Sequence, residues 1–157
     1  MLTFYDAATG AYAGLGHAVC DADTGDILSV SEGEIVPARI HGIKAGVAGE
    51  PGELKGSFEA GSYGDLQRNA ENGLYGVLTR APSGGMTMPV AMKQEVETGA
   101  AQMLTTIDGC EPQLYDIEIE QVRYNASAVP RHMIVRITDD RLLAASGGCL
   151  LYTSDAA

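Results

Sequence analysis

Leu114-Tyr115-Asp116-Ile117-Glu118-Ile119-Glu120-Gln121-Val122-Arg123-Tyr124 decides the fold. Apolar and acidic side chains alternate through its middle, and successive side chains on a strand point to opposite faces. Ile117 and Ile119, with Tyr115, therefore face a core, and the acids face water. Outward from this strand the chain repeats one theme, short apolar runs separated by Gly, Asp, Asn and Pro. Glu34–Ile43 alternates as a half-buried strand, with Pro37 marking an edge or a bulge. Leu2–Tyr5, Ala11–Val19, Ile27–Val30, Leu54–Phe58, Gly73–Thr79, Thr87–Met92, Gly99–Ile107 and His132–Asp139 read as further strands. Asp6–Gly10 and Asp21–Asp26 read as turns, Gly61–Asn72 as a polar, turn-rich stretch, and Asp140–Ser146 as one or two helical turns. Many short strands without the alternating helices of a parallel sheet predict an all-β barrel or sandwich.

Composition agrees. The chain has 157 residues, 45% of them hydrophobic, with 20 Gly, 2 Phe and no Trp. That length suits one domain with a core. A net charge of −11 repels phosphate backbones, and no basic cluster offsets it, so nucleic acid is excluded as a partner. Three cysteines, Cys20, Cys110 and Cys149, without a C-x-x-C pair, supply neither a zinc site nor a disulfide framework; a Cys20–Cys110 bridge is geometrically open. No apolar run of about 18 residues predicts a membrane span. No cofactor or metal is expected. Asp21, Asp23 and Gly25 place carboxylates at alternate positions, as in a calcium loop, but Gly comes one position early and no Glu follows at the twelfth, so a solvated hairpin tip is the better reading.

His17 stands between Gly16 and a short apolar run. Histidine is the side chain that ordinarily exchanges protons near neutral pH, which makes His17 the candidate general base. Asp139, in Ile137-Thr138-Asp139, is the candidate to orient it. Cys20 lies three residues from His17, on the opposite face of a strand, so thiol catalysis is disfavoured and Cys20 reads as a small apolar residue. His41 and His132 read as structural or surface residues, and Arg141 as a partner for Asp140 or a helix end. Asn125-Ala126-Ser127 is a formal glycosylation sequon.

Taken in order, several stretches resemble one family. They are Leu2–Asp6, Leu15-Gly16-His17, Asp21–Gly25, Gly33–Val36, Pro51–Phe58, Asn72–Leu78, Ile117–Ile119, Arg136–Leu143 and Gly147-Gly148. Their order and spacing resemble the peptidase domain of the SpoIVB family, named for stage IV sporulation protein B of endospore-forming bacteria. The resemblance implies a serine endopeptidase with a chymotrypsin-like double β-barrel, incomplete here at the C-terminus, and a catalytic order His, Asp, Ser. By position, His17 is the base and Asp139 the orienting acid.

The family's nucleophile follows the Gly-Gly pair in a Gly-Met-Ser-Gly-Ser-Pro stretch. Here Gly148 is followed by Cys149–Ala157, which resembles the translation of a transposase-type sequencing-library adapter. Residues 1–148 are therefore expected to be the partial peptidase domain, and 149–157 a non-native tail. Counting along the family register reaches Ser154, but no glycine flanks it to present backbone N–H groups for an oxyanion hole. The fragment is expected to be inactive. The resemblance further implies protein or peptide substrates, including the protein itself, and activation of a late sporulation sigma factor. Longer relatives carry a membrane anchor and a PDZ domain and work outside the cytoplasm, in the intermembrane space of the forespore; the fragment itself is expected to be soluble. The alternative is a non-enzymatic all-β interaction module.

Overall fold

A computed structural model describes residues 2–46, 52–124 and 133–146. Among the described residues there are ten strands and one α-helix, so the all-β expectation holds. The chain divides into two compact units. Unit 1 includes residues 1–39 and 57–83, and unit 2 includes 40–56 and 84–153.

Unit 1 is built on a five-stranded antiparallel sheet of β1 (Leu2–Tyr5), β2 (Ala11–Gly14), β3 (Glu34–Ile35), β6 (Gly64–Ala70) and β7 (Gly73–Leu78), in the order β1-β2-β7-β6-β3. The β1–β2 turn is closed by Asp6. Its carboxylate accepts the Ala8 N–H at 2.9 Å and the Thr9 hydroxyl at 2.8 Å, and those bonds hold its pKa below the usual value. Tyr12 on β2 and Leu78 on β7 form the buried face. Burial, and then the charge of Asp65, raise the Tyr12 phenol's pKa. Gly76 lies opposite Tyr12. A Cβ at Gly76 would fall 2.8 Å from the Tyr12 ring and 2.0 Å from the Asp65 carbonyl oxygen, so only glycine admits this packing.

The strand β6 is the clearest departure from expectation. Gly61–Asn72 reads as turn-rich because Asp65, Gln67, Arg68 and Asn69 lack β-branching, yet β6 pairs along its length with β7, and Gly64 and Asp65 pair with β3 as well. Partners on both sides override weak local propensity. The register slips between Leu66 and Arg68, leaving Gln67 as a bulge. Leu66 lies opposite Gly76 and Asn69 opposite Leu74. Positions 74 and 76 share a face of β7, so the bulge turns Asn69 onto the same face as Leu66.

Unit 2 carries a three-stranded antiparallel sheet of β8 (Gly99–Thr105), β9 (Gln113–Val122) and β10 (Met133–Ile137), in the order β10-β9-β8. The apolar–acidic alternation of Leu114–Tyr124 is realised in β9, where Tyr115 is 3% and Ile117 8% exposed. Helix α1 (Asp140–Ser146) follows β10 and buries Leu142 completely against Tyr115, within a cluster that includes Ile43, Met103, Ile107 and Ile137. Burying that leucine contributes about 1.5–3 kcal/mol. A third, two-stranded sheet pairs β4 (Ala38–Lys44) with β5 (Glu53–Phe58). The break between β3 and β4 falls at Val36-Pro37, as the missing proline N–H requires.

Three strand expectations are shortened or removed. Ala11–Val19 stops at Gly14 because Leu15 and Gly16 take positive φ angles of 66° and 99°. Of Ile27–Val30, only Ile27 forms a bridge, to Cys20, closing the acidic turn as a hairpin tip. Thr87–Met92 alternates but is not in a strand, and Met88, Val90 and Met92 are exposed. Pro89 has no N–H for a ladder, and alternation without a pairing strand does not make a sheet. No helix among the described residues is long and apolar enough to cross a membrane.

Candidate active site

His17 belongs to unit 1 and Asp139 to unit 2. Ser154, the Gly147-Gly148 pair, Cys149, His132 and the Asn125 sequon lie outside the described residues.

The His17 loop begins where β2 ends. Positive φ at Leu15 and Gly16 turns the chain out of the sheet, and the Gly16 N–H donates to the Gly14 carbonyl at 3.0 Å. His17 is exposed at the crest. Its Nδ1 lies 2.8 Å from the Ala18 carbonyl oxygen. A carbonyl oxygen only accepts, so Nδ1 carries the proton in this contact. In the neutral ring that leaves the lone pair on Nε2, the form a general base requires.

Beyond Ala18 the backbone is held by Asn69. Its Oδ1 accepts the Val19 N–H at 2.9 Å. Its Nδ2 donates to the Val19 carbonyl at 2.6 Å and to the Leu28 carbonyl at 2.9 Å. Sequence reading missed Asn69 because it lies in the stretch taken for turns. Cys20, the next residue, is half-buried rather than fully enclosed, and the Cys20–Cys110 bridge left open by the sequence does not form.

Asp139 caps α1. Its Oδ1 accepts the Arg141 N–H at 2.9 Å and the Leu142 N–H at 3.4 Å, two of the donors that a helix start leaves without intrahelical partners. Its own carbonyl accepts the Leu143 N–H at 2.9 Å. The Asp139 N–H and the Thr138 N–H both donate to the Asp116 carbonyl, at 3.0 and 3.1 Å, which ties the cap to β9. The Arg141 guanidinium closes a fork on the carboxylate, Nε to Oδ1 at 3.1 Å and Nη2 to Oδ2 at 2.8 Å. It also lies over the Tyr115 ring, 5.0 Å from the centroid, and donates to the Leu114 carbonyl at 3.1 Å. Of the two expected partners, Asp140 or a helix end, Arg141 takes the helix end, pairing with the capping Asp139, because its fork fits a carboxylate already fixed by the cap.

The Arg141 side chain, followed by backbone N–H bonds from Arg141, Asp116 and Leu142, holds the Asp139 carboxyl well below the ordinary range, against an opposing push from burial. Only 8% of its side chain is exposed. A carboxylate so held stays ionised through neutral pH, as an orienting acid must.

A SpoIVB peptidase S55 family model matches residues 1–155. The chain belongs to that family. Searches of curated proteins and of solved structures find no match. As an S55 peptidase domain it is a serine peptidase type, with proteins as its substrate class. The mostly β, antiparallel chain is consistent with an all-β chymotrypsin-like fold.

Proposed function

We propose that this S55 domain comes from a sporulation signalling protease that cleaves itself and a regulatory protein, leading to activation of a late sigma factor. His17 is the general base, its Nδ1–H held by the Ala18 carbonyl in the chain as it stands, and Asp139 is the orienting acid that takes over that N–H in the working site. The serine follows Gly148 in the intact protein and attacks the substrate carbonyl. His17 Nε2 takes the hydroxyl proton and returns it to the leaving amine. Residues 149–157 do not supply that serine. Ser154 stands between Thr153 and Asp155, with no glycine to present an oxyanion hole, and is not the nucleophile of this reading. The protein acts outside the cytoplasm, in the forespore intermembrane space.

The family match supports the peptidase reading, and the Nδ1-protonated form of His17 supports its role as base. The test is to restore the family's Gly-Met-Ser-Gly-Ser-Pro stretch after Gly148 and follow self-cleavage. Cleavage should appear in the restored chain and fall by roughly 10⁶-fold in His17→Ala. Equal cleavage with and without His17 would remove His17 from the mechanism, and no cleavage in the restored chain would favour a non-enzymatic β module.

A further inference from the structure

We infer that Asn69 is a positioning residue that selects the basic form of His17 through the intervening peptide group. The inference rests on His17 being the general base, and it adds a residue outside the His-Asp-Ser set.

Two contacts meet on one rigid unit. The Ala18 carbonyl and the Val19 N–H belong to the same planar amide. Asn69 Oδ1 holds the N–H end of that amide at 2.9 Å, and His17 Nδ1 donates to its carbonyl end at 2.8 Å. In a trans peptide the two ends point in opposite directions, so fixing one aims the other. The result is a continuous series from carboxamide to peptide to imidazole, in which each bond polarises the next. Asn69 Nδ2 binds the Val19 and Leu28 carbonyls, which stops the amide plane from rotating with the hairpin.

The carboxamide suits this position for a physical reason. One side chain must accept from an N–H and donate to two carbonyls, and only Asn or Gln carries both functions on one planar group. The Gln67 bulge then explains its aim. Without the extra residue, Asn69 would share a face with Asp65 and point away from Leu66.

The consequence is chemical. An unsupported Ala18 carbonyl would let the imidazole turn and populate the form with its proton on Nε2. That form cannot accept a serine hydroxyl proton at Nε2. The hydrogen bond that Asn69 supports therefore keeps the lone pair where the reaction needs it.

The test uses the chain as it stands and needs no peptidase activity. Nitrogen-15 NMR of the imidazole, at a pH well above the ordinary histidine range, distinguishes the two neutral forms; His17→Gln assigns the signal. Asn69→Leu keeps the approximate shape and removes every polar atom, and Asn69→Ala removes both. Amide exchange across β6 and β7 reports whether the sheet persists. In the parent chain, the His17 Nδ1 signal should be that of a protonated nitrogen and the Nε2 signal that of a bare one. In a variant with the sheet intact, both signals should shift towards the opposite form. An unchanged His17 signal in either folded variant overturns the inference. So does loss of the sheet in both variants, which would make Asn69 a fold-holding residue only. A failure here leaves the self-cleavage test of His17 untouched, and the reverse also holds.

Discussion

Gly73 presses against Gly14 so closely that a Cβ at position 73 would lie 2.7 Å from the Gly14 carbonyl oxygen and 3.3 Å from the Gly16 N. The contact joins the start of β7 to the turn that carries His17. It also requires the positive φ of 139° at Gly73.

Gly73→Ala should therefore destabilise the chain by about 1–3 kcal/mol through backbone strain, with the collision adding to it. Gly16→Ala is the control. Its φ of 99° is also unfavourable, but a Cβ there meets nothing within 4 Å. Denaturant titration should place Gly73→Ala clearly below Gly16→Ala in stability. Equal midpoints would mean that the close approach to Gly14 carries no weight.

Leu142 is the residue on which unit 2 closes. It is fully buried against Tyr115, while α1 is only seven residues long and too short to persist by helix propensity alone. Leu142→Ala should cost about 2–5 kcal/mol, the range for truncating a core leucine. Thermal melts should show it, and loss of Leu114–Ile119 amide protection should accompany it. The exposed Val90, which touches no such cluster, should tolerate Val90→Ala with little change.

The Asp139 cap gives a pH-dependent signature. Its carboxyl pKa lies below the unfolded value, chiefly through Arg141. The ionised form is thus favoured by folding. Its stabilisation is fully present above the ordinary carboxylate pKa of about 3.9, and is lost as pH falls towards the depressed folded value. Asp139→Asn keeps an acceptor for the helix start and removes the charge. It should lower the melting temperature at neutral pH, and the gap should narrow in acid. A gap that stays constant down to strongly acidic pH would show that the charge on Asp139 contributes nothing to folding.

Much of this was legible in sequence for identifiable reasons. β9 and β10 combine apolar periodicity with long uninterrupted runs, and α1 begins with an acid beside a good helix-forming stretch. The motifs around Leu15-Gly16-His17 and Arg136–Leu143 pointed to the family. What sequence obscured was pairing. β6 is polar and unbranched, and it is a strand because β3 and β7 flank it. Thr87–Met92 has the opposite history, a strand-like pattern with nothing to pair against. Asn69 was missed for a related reason. Its importance depends on a register slip at Gln67, and no local pattern announces a slip. Arg141 was placed near the right helix end, but its choice of Asp139 depends on the cap geometry.

Arg136 offers a test in which a visible ion-pair network should matter little. It forks from β10 onto Glu118 and Glu120 of β9, with Nε 2.8 Å from the Glu120 carboxylate. All three side chains are two-fifths exposed or more, so water screens the attraction. Arg136→Ala should cost less than about 1 kcal/mol. Arg136→Glu should cost more, because it sets a third carboxylate beside two others on a chain already carrying a net charge of −11. Added salt screens like-charge repulsion as well as attraction. It should therefore recover stability in Arg136→Glu while narrowing the small deficit of Arg136→Ala. Denaturant midpoints at low and high salt separate these cases. A large, salt-independent loss in Arg136→Ala would instead show that the arginine stem packs against the sheet and that charge is secondary.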